Sequence, residues 1–507
     1  MKKIKWKVFL PPWLLLLVIL ILNLTDYHMF LQIIDICTGW IMGNFTGGFC
    51  FLAFFSVVLI AITYFSPMGK VKIGGADSTP MVSYKNYIWI VLCTIMAAGI
   101  MFWACAEPMY HFYEPPSNVT AGSGSPEALT WAMDTMFLEW TLTPMCIYGL
   151  PAILFAFVFY NMKLPFSIGS MLVPAIGGKM AKKFMGAVDV LCLFALCTGM
   201  AASLGQGVLL LSGGIENCSN GLLQSGVVVW FISTAVIVIM FVVAAVTGIA
   251  RGIRKLSTIN SVLYLILGLF ILLFGPTVFI LNFGVESLGN FLNDFFRISL
   301  FTGSGSAGGK EWVQSWPGFY WCNWMAWMPV TAVFLGKISK GYTIRQMIRV
   351  IVVIPALFSM TWIVLFSGNA VYQEMQNGSV YAAMQNGGTE AATYAVLDTF
   401  PLSKIITVLF LVVLMLSFVT AADSNTNAIS SLCTKGLTAE DTESPVSLKI
   451  IWGVTIGAVC FIMLMSYGVD GIKKLSNLGG FPDAFLMIFF MISWIRILRN
   501  PQKYTKV

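Results

Sequence analysis

The residues of this chain best suited to do chemistry are tryptophans at helical spacing. Trp321, Trp324 and Trp327 recur every three residues beside Pro329, so they lie along roughly one face of a helix. Aromatic faces that converge on one point attract a cation, by up to about 2 kcal/mol per ring when water is excluded. A quaternary ammonium, which forms no salt bridge of ordinary length, depends most on such a site. An interfacial tryptophan belt and simple core packing are the alternative interpretations.

Two further features point to the same kind of site. Trp140 and Tyr148 lie eight residues apart, hence broadly on one helical face. The third apolar stretch contains Ala97, Ala98 and Gly99 at its centre, where small residues let another group approach the backbone closely or let the helix unwind. Tight packing between helices explains the same small residues.

Metal, redox and enzymatic chemistry is not indicated. The 11 cysteines form no CxxC pair, and His28 and His111 are the only histidines, which argues against structural zinc and haem. No nucleophile–base pair and no phosphate-binding loop appears at a usable spacing. We therefore expect no enzyme activity, no cofactor and neither structural zinc nor haem, and we expect the cysteines to pack as small apolar residues.

Composition sets the environment in which the aromatic residues act. Of the 507 residues, 58% are hydrophobic and only 10% are charged, whereas an ordinary globular domain has roughly 25% charged residues. This number of charged residues is too small to cover the surface that a soluble chain of this length would expose to water. The composition predicts a polytopic membrane protein whose surroundings are a lipid bilayer.

Twelve apolar stretches are long enough to cross a bilayer as helices. They lie near 8–24, 46–66, 86–105, 140–160, 186–211, 225–247, 258–283, 316–337, 345–368, 404–427, 448–468 and 482–498. Between the seventh and eighth stretches, the segment 285–301 mixes apolar and polar residues at helical spacing, which predicts an amphipathic helix at the membrane interface.

The basic residues predict the orientation of these stretches. All but five of the 29 basic residues fall in loops on the side of the N-terminus. The five on the other side are Arg297, Lys310, Lys404, Lys473 and Lys474. By the positive-inside rule both termini are cytoplasmic. The net charge of +7 then serves membrane insertion, and we expect no nucleic-acid partner.

Around the tryptophans of the eighth apolar stretch, the sequence resembles the betaine/choline/carnitine transporter family. The most specific piece is Phe319-Tyr320-Trp321 with Trp324, Trp327 and Pro329, followed by the loop FLGKISKGYTIR at 334–345. Supporting pieces are Met101-Phe102-Trp103 with Glu107-Pro108, Ser203-Leu204-Gly205, and Val419-Thr420 with Asp423-Ser424. The resemblance runs from the third apolar stretch to the eleventh.

The resemblance implies an all-α polytopic membrane protein with 12 transmembrane helices, of which helices 3–12 form two inverted five-helix repeats of the LeuT type around a midplane site. The corresponding division is 1–85 for two N-terminal helices and a cytoplasmic loop, 86–283 for the first repeat, 284–315 for an outer loop with the amphipathic helix, 316–498 for the second repeat and 499–507 for a short basic tail. The resemblance also implies a homotrimer in a bacterial inner membrane.

The resemblance implies where a substrate binds. Its aromatic box corresponds to Trp140, Tyr148, Trp324 and Trp327 in this sequence. Two further aromatic residues of the family are replaced here by Met145 and Asn323. Relatives that transport choline tend to have an aspartate at the position of Gly99. A neutral residue there favours a zwitterion such as glycine betaine or carnitine, whose carboxylate would meet the opened backbone formed by Met96, Ala97, Ala98 and Gly99.

Ion coupling is where the sequence departs from the resemblance. Thr420 matches one sodium-binding residue of the family, but Ala421 replaces a serine, and Leu196 and Met200 replace two threonines of a second sodium site. Asn260 stands where sodium-independent relatives have an arginine. The candidate ion or coupling residues are Met96, Thr420, Asn260 and Thr331. Sodium is therefore a weak candidate, at Thr420, and no metal site is certain.

These observations favour a secondary transporter of a betaine-type quaternary ammonium zwitterion, working by substrate:product exchange through alternating access. A sodium-coupled betaine symporter is the alternative, and a channel or a membrane-embedded enzyme is less well supported. Glu139 also departs from the family, in which histidine is usual. Three interpretations of its carboxylate stay open: it carries a proton, it assists the entry of a cation, or it faces a water-filled vestibule without a specific role.

Overall fold

A computed structural model of the chain describes residues 4–95, 98–117, 122–247, 250–306, 308–436 and 444–504, without the side chains at 98, 245–247, 250–255 and 422–424. Within these ranges the regular elements are helices, and the only β-type contacts are two isolated bridges, Ile4 to Thr434 and Lys72 to Thr343. The all-α polytopic fold predicted from the sequence is confirmed.

Fifteen longer helices carry the architecture, interrupted by short 3₁₀ and π-helical turns. They are α1 Trp6–Thr25, α2 Tyr27–Phe65, α3 Tyr84–Ile95, α4 Ala98–Tyr113, α5 Pro126–Trp140, α6 Leu142–Ala156, α7 Gly178–Cys218, α8 Val227–Thr247, α9 Ala250–Phe274, α10 Thr277–Ser299, α11 Phe319–Val330, α12 Ile354–Asn377, α13 Ser403–Leu432, α14 Val446–Tyr467 and α15 Val469–Arg499.

Ten helical segments within the described residues are long and apolar enough to cross a membrane. An eleventh is the bent pair formed by α3 and α4, whose axes differ by 54°. The tryptophan-rich helix α11 is not among these segments, although π-helical turns at Gln314–Gly318 and Thr331–Leu335 extend it at both ends. The count of 12 spans and the inverted repeats therefore stay predictions.

The fourth membrane segment begins much earlier than the predicted start at 140. It runs over Pro126–Asn161, because α5 precedes α6 in the same segment. Sequence hydropathy missed α5 since Glu127, Asp134 and Glu139 lower its apolar character. The two helices meet at Thr141, whose φ of −113° and ψ of −111° lie outside the helical region. The boundary correction places Trp140 inside the membrane segment, at this break.

Several other boundaries differ from those expected, among them the start of α15, which lies at Val469 instead of near residue 482. Helix α2 begins at Tyr27 instead of near residue 46, which makes it 39 residues long. Helix α9 ends at Phe274 instead of near 283, because Gly275-Pro276 interrupts the chain before α10 starts. The amphipathic segment expected at 285–301 is thus the second part of α10, which packs on α5 and α12 and exposes apolar side chains on its opposite face.

The breaks in the helices meet near the centre of the bundle. Helix α11 packs against α15, α7 and α6, while α4 packs against α5, α7 and α12. Ile95 and Gly99, on either side of the α3–α4 bend, and Trp140, just before the α5–α6 break, line one cavity together with residues of α7 and α11. Broken helices leave backbone groups without helical partners, and such groups are tolerated at membrane depth where they face protein or a cavity.

Candidate functional site

A cavity of about 520 Å³ of empty space lies where these helices meet. The residues that line it are Thr94, Ile95, Gly99, Ile100, Trp140, Met145, Tyr148, Ser203, Gln206, Asn323, Trp324, Trp327 and Ser359. The structure thus brings together the four aromatic residues predicted from the sequence, Gly99, and the two positions where an aromatic residue of the family is replaced.

Two of the other three aromatic rings stand edge to face with the ring of Trp324. Its ring centroid lies 5.4 Å from that of Trp140, with an interplanar angle of 86°, and 5.4 Å from that of Tyr148, with an angle of 78°. Trp327 lines the cavity one turn further along α11. These four side chains are 3–9% exposed. Rings in this arrangement offer several aromatic faces to one desolvated cation.

Hydrogen bonds outside the cavity hold two of the indole rings. The Nε1–H of Trp324 donates to the backbone carbonyl of Glu139 at 2.9 Å, near the end of α5. Helix ends leave backbone carbonyls without intrahelical partners. This bond therefore satisfies one such carbonyl and at the same time fixes the orientation of the Trp324 ring. The Nε1–H of Trp140 donates to Glu107 Oε2 at 3.0 Å, and the hydroxyl of Tyr320 donates to the same oxygen. The ring faces are left for a ligand.

Two glycines make room for the rings. A Cβ atom at Gly99 would lie 3.1 Å from Cη2 of Trp140 and 3.2 Å from Oε1 of Gln206. A Cβ atom at Gly199 of α7 would lie 3.3 Å from Nε1 of Trp327. Both separations are shorter than ordinary van der Waals contact, so a larger residue at either position would displace a cavity wall.

None of the described residues that line the cavity carries a charge. Its polar lining consists of Thr94, Ser203, Gln206, Asn323 and Ser359. Because no side chain there neutralises an ion, a ligand without net charge has the lowest cost of desolvation in this cavity. The combination of aromatic faces and neutral polar groups suits a molecule that carries its own counter-charge.

The backbone predicted to receive the ligand's carboxylate is described only in part. Met96 and Ala97 lie outside the described residues, as does the side chain of Ala98. Helix α4 begins at Ala98, and Gly99 lines the cavity beside it. The first amides of α4 therefore lie at the bend of the α3–α4 pair, where a helix N-terminus favours a negative charge.

Three of the candidate coupling residues, Asn260, Thr420 and Thr331, are described, and they lie outside the cavity lining. Asn260 is fully buried and donates to Ser417 Oγ at 3.0 Å, one turn of α13 before Thr420. The Thr420 hydroxyl donates to the carbonyls of Leu416 and Ser417 in its own helix, at 2.9 and 3.1 Å. These two candidates are thus close to each other along α9 and α13.

The third described coupling candidate, Thr331, lies on a different element. The Thr331 hydroxyl donates to the carbonyl of Met328 at 2.8 Å, within the helical turn that follows α11. That turn packs mainly against α6. The structure therefore does not bring Thr331 together with Asn260 and Thr420 by any described hydrogen bond.

A family model described as BCCT, betaine/carnitine/choline family transporter, matches residues 7–503. The chain belongs to this family. The resemblance seen in the tryptophan motif is thereby confirmed. The family is one of transporters, so the expectation that the chain is not an enzyme is confirmed as well.

Curated relatives of this family protein come from several bacteria. An ectoine/hydroxyectoine transporter of Virgibacillus pantothenticus is 30% identical over 463 residues, covering 90% of this chain and 89% of the relative. A glycine betaine transporter of Bacillus subtilis is 28% identical, with coverages of 87% and 84%. A high-affinity choline transport protein of Escherichia coli is 28% identical, with coverages of 91% and 67%.

Among solved structures, the chain is similar to a Na⁺-coupled sialic acid symporter in a substrate-bound outward-open state. The TM-score is 0.46 at 14% sequence identity, and the match covers 89% of this chain and 85% of that chain.

Sequence reasoning missed several residues around the cavity. Gln206 and Ser359 line it, and Glu107 and Tyr320 anchor Trp140 from behind. Glu107 and Tyr320 belong to the motif pieces that carried the family resemblance, but the motif assigned them no role. Only the packing of α4, α5 and α11 shows that their side chains meet.

Proposed function

We propose that this protein transports betaine-type quaternary ammonium zwitterions across the bacterial inner membrane. The observation that carries the proposal is the cavity itself: Trp140, Tyr148, Trp324 and Trp327 line it, and no described lining side chain is charged. The aromatic faces would bind the methylated ammonium group by cation–π attraction. The ligand's own carboxylate would balance that charge at the start of α4.

The neutral lining favours a zwitterion over choline. The printed functions of the relatives include glycine betaine, ectoine and choline transport. Choline bears a positive charge with no carboxylate, so it would enter an uncharged, desolvated cavity without a counter-ion. Gly99, which borders the cavity, supplies none. Glycine betaine, carnitine and related betaines meet this requirement.

Exchange of one substrate for another is the mode of transport that the coupling residues favour. Leu196 and Met200, at the positions of one family sodium site, are buried apolar side chains without hard oxygen ligands. Thr420 already donates its hydroxyl to two backbone carbonyls of α13. In exchange, bound substrate itself lowers the barrier between the inward-open and outward-open states, so no ion gradient is required.

Sodium-coupled symport is the second candidate, because Thr420 keeps a hydroxyl oxygen and lies on α13, a helix that packs against α9, α3 and α4. One surviving sodium site there would consist of Thr420 and the backbone near Met96. We further propose cytoplasmic N- and C-termini, from the placement of the basic residues, and a homotrimer, from the family. Neither mode of transport involves a cofactor.

Binding to the purified protein tests the substrate class. Glycine betaine and carnitine are titrated against choline, which shares the trimethylammonium group but lacks the carboxylate, and against glycine, which has the carboxylate without the methyl groups. We expect both betaines to bind, choline to bind weakly and glycine not to bind. Choline binding as tight as that of the betaines would contradict the zwitterion proposal.

A further inference from the structure

A cluster of buried titratable side chains lies directly behind the aromatic rings. Glu107 and His111 come from α4 and Glu139 from α5. One carboxyl oxygen of each glutamate and one ring nitrogen of His111 all lie within 4.8 Å of one another. All three residues are 0% exposed. Substrate binding in the cavity makes no use of these groups, although burying them is costly.

The two glutamates differ in how their oxygens are satisfied. Glu107 Oε2 accepts hydrogen bonds from Trp140 and Tyr320, and Glu107 Oε1 lies 3.5 Å from Nε2 of His111. Neither oxygen of Glu139 has a hydrogen-bond partner among the described groups. Two ionised carboxylates are both pure acceptors, whereas one proton between them converts an acceptor into a donor and removes one negative charge.

The charges around the pair leave room for one proton. Lys473 of α15 lies over the Trp316 ring, 3.9 Å from its centroid, and interacts electrostatically with both Glu107 and Glu139. Asp470 is the first electrostatic partner of Lys473, so this ammonium group compensates at most one of the two carboxylates. With His111 neutral, a proton shared between Glu107 and Glu139 removes the other buried negative charge. The other titratable groups that face this cluster are Tyr320 of α11, Cys50 of α2, and Glu114 and Asp470, which act on Lys473 from the ends of α4 and α15.

The same glutamates hold two walls of the cavity. The carboxylate of Glu107 accepts the hydrogen bond from the Trp140 indole, and the backbone carbonyl of Glu139 accepts that of the Trp324 indole. A change in the charge of the Glu107 carboxylate therefore bears directly on Trp140, while a shift of Glu139 bears on Trp324 through the backbone of α5. Linkage makes this relation reciprocal: a ligand that changes the rings changes the affinity for the proton.

We propose that Glu107 and Glu139 share one proton in the closed arrangement seen here, and that filling the aromatic cavity is linked to the uptake of that proton. When the cavity opens, water reaches the carboxyl groups and both are hydrated as carboxylates. On closure around the substrate, one proton from the water on the open side binds to Glu139, whose new O–H donates to Glu107. On reopening, the same proton returns to water on whichever side is then exposed.

The inference rests on the proposed substrate but not on one mode of transport. In exchange, a proton would accompany each substrate in each direction, so the net movement of protons would be zero. In one-way uptake, the proton gradient would drive accumulation. In both cases the protein takes up a proton as it closes on its substrate, and this step is measurable without a membrane.

The test is calorimetric titration of the purified full-length protein with glycine betaine at neutral pH, in buffers that differ in ionisation enthalpy. The slope of binding enthalpy against buffer ionisation enthalpy counts the protons taken up, and we expect about one per substrate. Binding with a slope of zero would overturn the proton linkage alone. Absence of any betaine binding would overturn the proposed substrate and the linkage together.

Two matched variants test which side chain binds the proton. Glu139→Gln keeps the size of the side chain but does not titrate, so we expect betaine binding with a slope near zero. Asp134→Asn is the control, because Asp134 lies on the same helix, is 1% exposed and has no hydrogen-bond partner for its carboxyl oxygens among the described groups. Its charged neighbours are Asp294 and Arg297, outside the Glu107 cluster.

We expect Asp134→Asn to retain the wild-type slope. An unchanged slope in Glu139→Gln, or an equal loss in both variants, would contradict the assignment. Loss of betaine binding after chelation of metal ions would mark a metal site in place of a proton site and would also overturn the proposal. The wild-type slope is informative by itself, so the test does not depend on either variant folding.

Discussion

Trp324 is the residue whose replacement most directly tests the aromatic cavity. It contacts both Trp140 and Tyr148 at centroid separations of 5.4 Å and lines the cavity itself. A desolvated tryptophan contributes up to about 2 kcal/mol to the binding of a cation. Because about 1.4 kcal/mol corresponds to a tenfold change in affinity, Trp324→Leu should weaken binding of glycine betaine by about 30-fold.

The loss must be separated from general damage to the cavity. The assay is therefore competition between glycine betaine and 3,3-dimethylbutanoate, in which a neutral carbon replaces the ammonium nitrogen at nearly the same shape. Both ligands feel a change in cavity volume, but only the betaine feels the loss of cation–π attraction. We expect the preference of the wild-type protein for betaine to fall by about 30-fold in Trp324→Leu.

Two control variants sharpen the result. Trp324→Phe keeps an aromatic face but loses the hydrogen bond to the Glu139 carbonyl, so most of the preference for betaine should remain. Trp321→Leu removes a tryptophan from the same helix that is 1% exposed and does not line the cavity, so the preference should not change. Equal weakening of both ligands in Trp324→Leu, or an unchanged preference, would refute the cation–π reasoning.

Three further predictions concern Gly99, Glu390 and Thr420. Gly99→Ala should weaken betaine binding by about tenfold, because its Cβ meets Trp140 at 3.1 Å, while Gly186→Ala, which has open space, should bind normally in the same titration. Burial raises the pKa of Glu390, outside the membrane segments, from 4.5 to about 7. The folded protein then favours the neutral acid, so stability is full below pH 4.5 and is lost as the pH rises through about 7. The melting temperature should fall over that pH range in the wild type but not in Glu390→Gln. The same dependence of melting temperature on pH in both proteins would show that Glu390 is not the group responsible. Thr420→Ala should leave exchange unchanged if no sodium binds there, and a loss of sodium-dependent uptake would instead support symport.

The helices could be predicted where apolar residues are continuous along the chain. They could not be predicted where charged residues interrupt the apolar pattern. Low charge and long apolar stretches were enough to predict an all-α membrane fold. Helix α5 escaped because Glu127, Asp134 and Glu139 make it look like a loop, although most of its side chains are buried against neighbouring helices. Hydropathy measures transfer to lipid, and a helix surrounded by protein does not have to satisfy it.

The site was predictable to the extent that helical spacing brings residues together. Trp324 and Trp327 lie on one helix, and their spacing indicated a shared face. That Trp140 lies against Trp324, or that Glu107 and Glu139 meet, depends on how three separate helices pack, and spacing along the chain carries no such information. The Gly99 contact with Trp140 likewise appears only after the α3–α4 bend has brought the two together.

The central claim is that this protein exchanges betaine-type zwitterions without an ion gradient. Counterflow in proteoliposomes tests it most directly: vesicles are preloaded with glycine betaine, carnitine or γ-butyrobetaine, and uptake of labelled betaine is followed with and without sodium. We predict uptake that requires internal betaine and is the same in both media. Uptake that requires a sodium gradient and proceeds into empty vesicles would contradict the exchange mechanism and establish symport in its place.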